Sequence, residues 1–355
     1  MKSSSIVSVK PYQADQRVHG GPDEHGAPVH DFSTNSNACG PCPSALAAVA
    51  QADARTYPDA SYTRLRQQLA EFHGVAVERV VLAASASEFI FRITAMAVQR
   101  GVQAVCLPPH SYGDYAQAAR AYRLPVLVDG PGACLHWSCE PSSPLGGAHE
   151  GLSALVDGTS AGSVVVLDRA YEPLRLSGAP TLAGAQLQKV WQLWTPNKAL
   201  GLTGVRAAYA IAPQSAGLDI EADIDTMNQL CPSWPIGAHG VAMLQAWTQP
   251  DVQAWLAGSL HTLRDWKAQQ LALCASLGWE AMPSHANFFV CRWGYGASAL
   301  RQLRGQGIKL RDCASFGLPG HVRLGVLCPA SQNALLRAWA AEGIEAKIGP
   351  SEDSF

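Results

Sequence analysis

The chain has 355 residues, 48% hydrophobic and 15% charged, with 32 Gly, 23 Pro and 10 Trp. That much apolar surface excludes disorder as the main state, and at ~100–200 residues per domain it suggests two domains. With 26 Lys and Arg against 28 Asp and Glu, the formal charge of −2 leaves no footprint for nucleic acid or an anionic membrane, and no apolar run approaches the ~20 residues of a membrane span.

The first stretch, Met1 to Pro11, lacks the apolar block of a signal peptide, so a cytoplasmic protein with reduced thiols is expected. The ten cysteines are scattered, and Cys106, Cys231, Cys274, Cys291 and Cys328 sit in apolar stretches, where small thiols are ordinary core residues. Cys39-Gly40-Pro41-Cys42 has the spacing of a redox pair but follows a polar run and has no second Cys pair. It reads as a Gly-Pro turn before a helix. Gly158-Thr159-Ser160-Ala161-Gly162 matches a nucleophile elbow, yet a strand follows it where a helix should. His149-Glu150 lacks the second His of a zinc-protease motif, and no metal site is expected.

In chain order, the turn-rich segment 1–45 leads into an Ala-rich helix over Ser44–Ala52 and a second helix over Tyr62–Phe72. Strands are predicted at Val80–Leu82, Val105–Leu107, Pro125–Val128, Val164–Leu167, Val190–Trp194 and Ala207–Ile211. Helices at Phe89–Arg100 and Tyr115–Tyr122 fall between them. Such alternation implies an α/β fold with a mainly parallel, helix-covered sheet. Beyond about Pro250 the character changes. A long helix, Val252–Leu277, is followed by strand Asn287–Val290, helix Ala297–Gln306, strand Val322–Val326 and helix Gln332–Glu342. This α+β tail reads as a second, smaller domain.

Four features carry chemistry. Lys198 follows a predicted strand in the Gly-punctuated run Trp194-Thr195-Pro196-Asn197-Lys198-Ala199-Leu200-Gly201, eight residues before Arg206. Alone it is either a solvated lysine or a desolvated nucleophile, with Arg206 a planar fork for phosphate. Asp168 ends a strand three residues before Tyr171, as an acidic partner beside a phenol or as a capping Asp. Ser85-Ala86-Ser87-Glu88 sits at a strand-to-helix junction, where free N–H groups favour an anion or the Ser simply caps the helix. Arg323 lies inside an apolar strand and needs a counter-charge, from a structural carboxylate or from a substrate.

Taken in order along an α/β chain, with Tyr112 between the second and third predicted strands, these features resemble the fold-type I pyridoxal-phosphate enzymes of aminotransferase class I/II. The closest resemblance is to the histidinol-phosphate aminotransferase group, which includes threonine-phosphate decarboxylase and related cobalamin-biosynthesis proteins. It spans about residues 18 to 340 and is also carried by His19-Gly20-Gly21, Asp31-Phe32-Ser33-Thr34-Asn35-Ser36-Asn37, Tyr57-Pro58-Asp59-Ala60-Ser61-Tyr62 and Leu310-Arg311-Asp312-Cys313-Ala314-Ser315-Phe316.

The resemblance implies that Lys198 holds pyridoxal 5'-phosphate as a Schiff base and shuttles the proton at the substrate Cα. Asp168 would keep the ring nitrogen protonated, Tyr171 would donate to the ring's phenolic oxygen, and Tyr112 would stack on the ring. Ser85, Ala86, Ser87, Thr195 and Arg206 would hold the phosphate, with Tyr57 reaching it from a neighbouring subunit of a homodimer. Arg323 and Arg311 would bind the substrate, and Asn35 or Asn37 would line its pocket. Gly201 and Gly204 would let backbone pass close to the cofactor. By the same resemblance, residues 46–250 form the large cofactor-binding domain and 251–355 the small domain, against which 1–45 packs. One departure stands out. The family's Asn-Pro-x-x-Pro-Thr-Gly loop appears as Glu140-Pro141-Ser142-Ser143-Pro144-Leu145-Gly146, with Ser143 in place of the Asn that binds the ring oxygen. The implied activity is amino transfer from a small, sometimes phosphorylated, amino acid to a 2-oxo acid. Decarboxylation of the threonine-phosphate type is the alternative, and a non-catalytic cofactor-binding relative is the reading from another class.

Overall fold

A computed structural model describes residues 19–128, 132–160, 162–214 and 219–341; Met1–Pro11, Ala161 and Glu342 lie outside them. Its centre is a seven-stranded sheet, in spatial order Val80–Ala83, Ala208–Ile211, Trp191–Trp194, Val164–Asp168, Cys134–Cys139, Ala104–Cys106 and Val126–Leu127. Only Ala208–Ile211 runs against the other six, being antiparallel to both its neighbours. Alternation along each strand sorts the core. Val81, Ala83, Leu135, Trp137, Val166, Trp191 and Leu193 face the helices Ala86–Gln99, Gly113–Ala121 and Ile220–Gln229. Val80, Leu82, Trp194, Tyr209 and Ile211 join the core on the other face, which packs on Pro43–Ala50, Thr63–His73 and Ala238–Trp247. With both faces covered, the strands read as continuous apolar runs, which is why most were visible in the sequence.

Three differences from the sequence expectation matter. The strand Cys134–Cys139 was not expected, because His136 and Ser138 interrupt its apolar pattern; it inserts between Ala104–Cys106 and Val164–Asp168. The helices Leu152–Gly158, Ile220–Gln229 and Ala238–Trp247 were not anticipated either. Gly201, with φ of +70°, does not face the cofactor site: a Cβ there would lie 3.0 Å from the Cα atoms of both Gly40 and Pro41, while one at Gly204 would meet nothing within 4 Å.

The tail builds a separate four-stranded sheet, ordered Arg311–Asp312, His321–Gly325, Phe288–Arg292 and Glu280–Ala281, after the helix Pro250–Ser276. His30–Asp31 pairs in parallel with Ile308–Lys309, and the Gly325 amide donates to the Phe32 carbonyl, so the early segment rides on the tail. Cys39–Cys42 is a turn leading into Pro43–Ala50, and both thiols are free.

His73, at the end of its helix, packs 4.9 Å from the Trp194 ring and lies 2.8 Å from the Tyr209 hydroxyl, which accepts from the Trp247 indole. Burial, assisted by the Arg169 charge, lowers its pKa from 6.5 to about 4. A depressed folded value gives stability that is complete above the unfolded pKa and is lost as the pH falls from about 6.5 towards about 4, a change of about 3 kcal/mol. Urea unfolding at pH 7 and pH 4.5 should show a clearly smaller acid loss in His73→Gln than in the wild type. An equal loss in both would assign the acid sensitivity to other groups.

Candidate active site

The ends of the parallel strands open on a cavity of about 610 Å³. Its wall brings together Ser85, Ala86, Ser87, Tyr112, Ser143, Asp168, Tyr171, Thr195, Lys198, Arg206, Arg311, Arg323 and Asn35, residues spread over most of the chain.

Asp168 occupies the last position of Val164–Asp168 and is 5% exposed. Its carboxylate accepts from the Tyr115 hydroxyl at 2.7 Å and from the Ala170 amide at 2.9 Å. Burial pushes its pKa up, while those two donors and the Lys198 charge pull it down. Tyr115 is fixed by stacking on Trp137, with ring centroids 4.3 Å apart. The sequence placed Tyr115 on a helix and gave it no role, since its partner is remote in the chain.

Lys198 follows strand Trp191–Trp194 in a turn braced from below. Asn37 donates its backbone amide to the Lys198 carbonyl at 2.9 Å and its side-chain amide to the Ala199 carbonyl at 3.0 Å. The Cys42 amide donates to the Leu200 carbonyl. Asn37 therefore does not line the cavity as expected; it is buried beneath the lysine turn, also donating to Ser259. Asn35, two residues earlier, does reach the wall, where its amide donates to the Tyr171 hydroxyl at 3.3 Å. The Lys198 ammonium lies 5.3 Å from the Tyr171 ring centroid.

Ser85 caps the helix Ala86–Gln99, accepting from the Glu88 amide at 3.1 Å, while Glu88 accepts from the Ala84 amide. The first-turn N–H groups of Ala86 and Ser87 have no intrahelical acceptor and stand in the cavity wall. Thr195 adds a buried hydroxyl oxygen with no hydrogen-bond partner among the described residues, and Arg206 an exposed guanidinium at the same wall. Tyr112 is linked to Ser87 at 3.4 Å, and burial raises its phenol above the usual range.

Arg323 is buried, and the acceptors it meets are neutral: the Ser143 hydroxyl at 3.3 Å and the Ser33 carbonyl at 3.1 Å, with Nε unpartnered. Arg311 donates to Ser315 and to the Asp312 carbonyl, with its guanidinium 4.8 Å from the Phe316 ring. Tyr57 stands apart from the cavity. It is 77% exposed and stacks on Trp234 at 4.5 Å. His19, Gly20, Cys139 and Asn197 also line the wall without having been singled out for it.

The donor set suits a phosphorylated pyridine aldehyde. An unpartnered Thr195 hydroxyl, a helix start and an arginine suit a dianion; the buried Asp168 suits a ring cation; Lys198 suits an aldehyde.

Solved structures with this sheet and helix arrangement are fold-type I pyridoxal-phosphate enzymes. Histidinol-phosphate aminotransferase from Sinorhizobium meliloti, solved in complex with pyridoxal-5'-phosphate, superposes with a TM-score of 0.76 over 96% of this chain and 99% of that chain, at 18% identity. L-threonine-O-3-phosphate decarboxylase from Porphyromonas gingivalis gives 0.73 over 88% and 98%, at 20% identity.

The sequence narrows the class. The family model for aminotransferase class I and II matches residues 27–130 and 134–340, and the chain belongs to that family. It is a pyridoxal-phosphate-dependent aminotransferase. The histidinol-phosphate aminotransferases of Halorubrum lacusprofundi and Symbiobacterium thermophilum are similar at 28% and 26% identity, covering 91% and 95% of this chain and 92% and 97% of theirs. Among the described residues, no helix is long and apolar enough to cross a membrane.

Proposed function

We propose that this enzyme moves the amino group of a small amino acid, phosphorylated ones included, to a 2-oxo acid, in the manner of a histidinol-phosphate aminotransferase. The observation that carries the reading is Arg323. A buried guanidinium whose acceptors among the described residues are all neutral calls for an anion, and it stands in the same cavity wall as Lys198. Arg311 adds another guanidinium to that wall.

Pyridoxal phosphate supplies an electron sink for bonds broken at the substrate Cα. Lys198 would anchor it covalently and carry the Cα proton. Asp168, whose carboxylate accepts from Tyr115 and the Ala170 amide, would keep the ring nitrogen protonated. Tyr171, oriented by Asn35, would donate to the ring's phenolic oxygen, and Tyr112 would cover the ring face. Ser85, Ala86, Ser87, Thr195 and Arg206 would hold the phosphate. Ser143 stands at the family's Asn position, and its hydroxyl is engaged by Arg323. Tyr57, exposed in one protomer, completes the phosphate site of its partner in a cytoplasmic homodimer. Residues 46–250 form the large domain, and the tail from 251 forms the small one together with the N-terminal segment.

Threonine-phosphate-type decarboxylation is the second reading, favoured by His19 and Gly20 in the cavity wall. Both reactions would use the same cofactor residues and differ in which bond at the substrate Cα is broken. A panel of amino acids, with and without 2-oxoglutarate, separates them. Amino transfer that depends on the oxo acid is expected. Carbon dioxide released without one would overturn the transaminase assignment.

A further inference from the structure

Cys106 ends the strand Ala104–Cys106, and Cys134 and His136 lie two residues apart on the neighbouring parallel strand, with Cys106 opposite His136 in the ladder. Alternation puts Cys134 and His136 on one sheet face, and the register sets Cys106 beside them. The two sulfur atoms and an imidazole nitrogen all lie within 4.8 Å of one another, and all three residues are buried. This is not the face that Trp137 shares with Tyr115. Val105, Leu135 and Trp137 pack on Ala86–Gln99 and Gly113–Ala121, whereas Ala104, Cys106 and Cys134 form a small separate group with Leu127.

We propose that Cys106, Cys134 and His136 bind one zinc ion on the back of the sheet, through two thiolates and one imidazole nitrogen, with water as the fourth ligand. Each thiol gives up its proton to solvent as its sulfur coordinates, and no oxidation is involved. Zinc–sulfur and zinc–nitrogen bonds of about 2.3 and 2.0–2.1 Å set tetrahedral ligand atoms about 3.5–3.8 Å apart. The three atoms therefore reach coordinating geometry through side-chain rotations of about 1 Å, with the backbone held by two paired strands. Charge selects the ion. A divalent cation with two thiolates is neutral, whereas a monovalent soft cation would leave an uncompensated negative charge beside the described apolar neighbours Ala104 and Leu127. Access is through His136, the most exposed of the three at 8%. The site stands apart from the cofactor cavity, whose wall contains none of these residues.

The test uses reduced, cofactor-loaded protein stripped with a chelator and then titrated with Zn²⁺ or, in parallel, Co²⁺. One zinc per chain should survive gel filtration and raise the melting temperature by a few degrees. Cobalt should show a thiolate charge-transfer band in the near ultraviolet. Cys134→Ser and His136→Asn should each weaken zinc binding by about 100-fold or more while the cofactor band stays unchanged. Wild-type protein that retains no zinc, cobalt bound without a thiolate band, or zinc retained equally by the Cys134→Ser/His136→Asn double variant would each overturn the site. The cobalt spectrum decides the matter on wild-type protein even where a variant fails to fold.

Discussion

Lys198→Ala should lose the protein-bound cofactor absorbance band and about 10⁴-fold in turnover. Two separate functions are removed at once in the role proposed for this residue, covalent anchoring and proton transfer at the substrate Cα, and among the described residues no other lysine lines the cavity. The turn itself should survive, because it is held by backbone groups. Asn37 and Cys42 donate to the Lys198 and Leu200 carbonyls, and the Leu202 amide donates to the Asn197 carbonyl. The variant should therefore melt close to the wild type while still taking up cofactor loosely through the phosphate cradle. Spectra before and after gel filtration, with turnover on the amino acid panel, check both halves. A band and turnover that persist in the variant would remove Lys198 from the chemistry.

The second large effect is expected at Asp168. Asp168→Asn should retain cofactor yet lose about 10³-fold in turnover. A carboxylate about 4 Å from a ring cation at an effective dielectric of about 20 is worth about 4 kcal/mol, and each ~1.36 kcal/mol is a factor of ten in rate. Asn is nearly isosteric and keeps the fold: its carbonyl oxygen can accept from the Ala170 amide and its NH₂ can donate to the Tyr115 hydroxyl, the reverse of the present bond. Tyr115→Phe grades the same effect. Losing one hydrogen bond to a charged group costs about 1.5–3 kcal/mol, so an intermediate fall of about 10- to 100-fold is expected. Steady-state kinetics on the three proteins, with cofactor occupancy measured by absorbance, tests the ordering. Wild-type turnover in Asp168→Asn would show that the acid acts elsewhere.

The strands that the sequence revealed are those buried on both faces, such as Val164–Asp168, where a run of Val and Leu leaves no other reading. Cys134–Cys139 stayed hidden because its back face carries Cys134, His136 and Ser138, and polar residues in that pattern look like a loop. That strand leads into Ser143, so its insertion helps decide what lines the cavity. Asn35 and Asn37 looked equivalent in a polar run. Only the docking of the segment against the lysine turn separates a residue of the cavity wall from one that braces the turn behind it. Tyr115 escaped notice because its helix reads as merely amphipathic, and its hydroxyl finds Asp168 only across the sheet.

By itself, the sequence supplied candidate groups and their order: a lysine after one strand, an acid at the tip of another, a serine-capped helix start and an arginine in the tail. Their positions are local properties of residue type, periodicity and turn chemistry, whereas their expected roles came from the resemblance of the whole order to a known family. The tertiary structure alone decided which groups meet: Tyr115 with Asp168, Arg323 with Ser143, Asn37 with the lysine turn, and Cys106 with Cys134 and His136. The physical reason lies in strand order. Cys134–Cys139 sits between Ala104–Cys106 and Val164–Asp168, and hydrogen-bonded register across parallel strands sets residues from distant parts of the chain side by side. No pattern within one segment encodes that register.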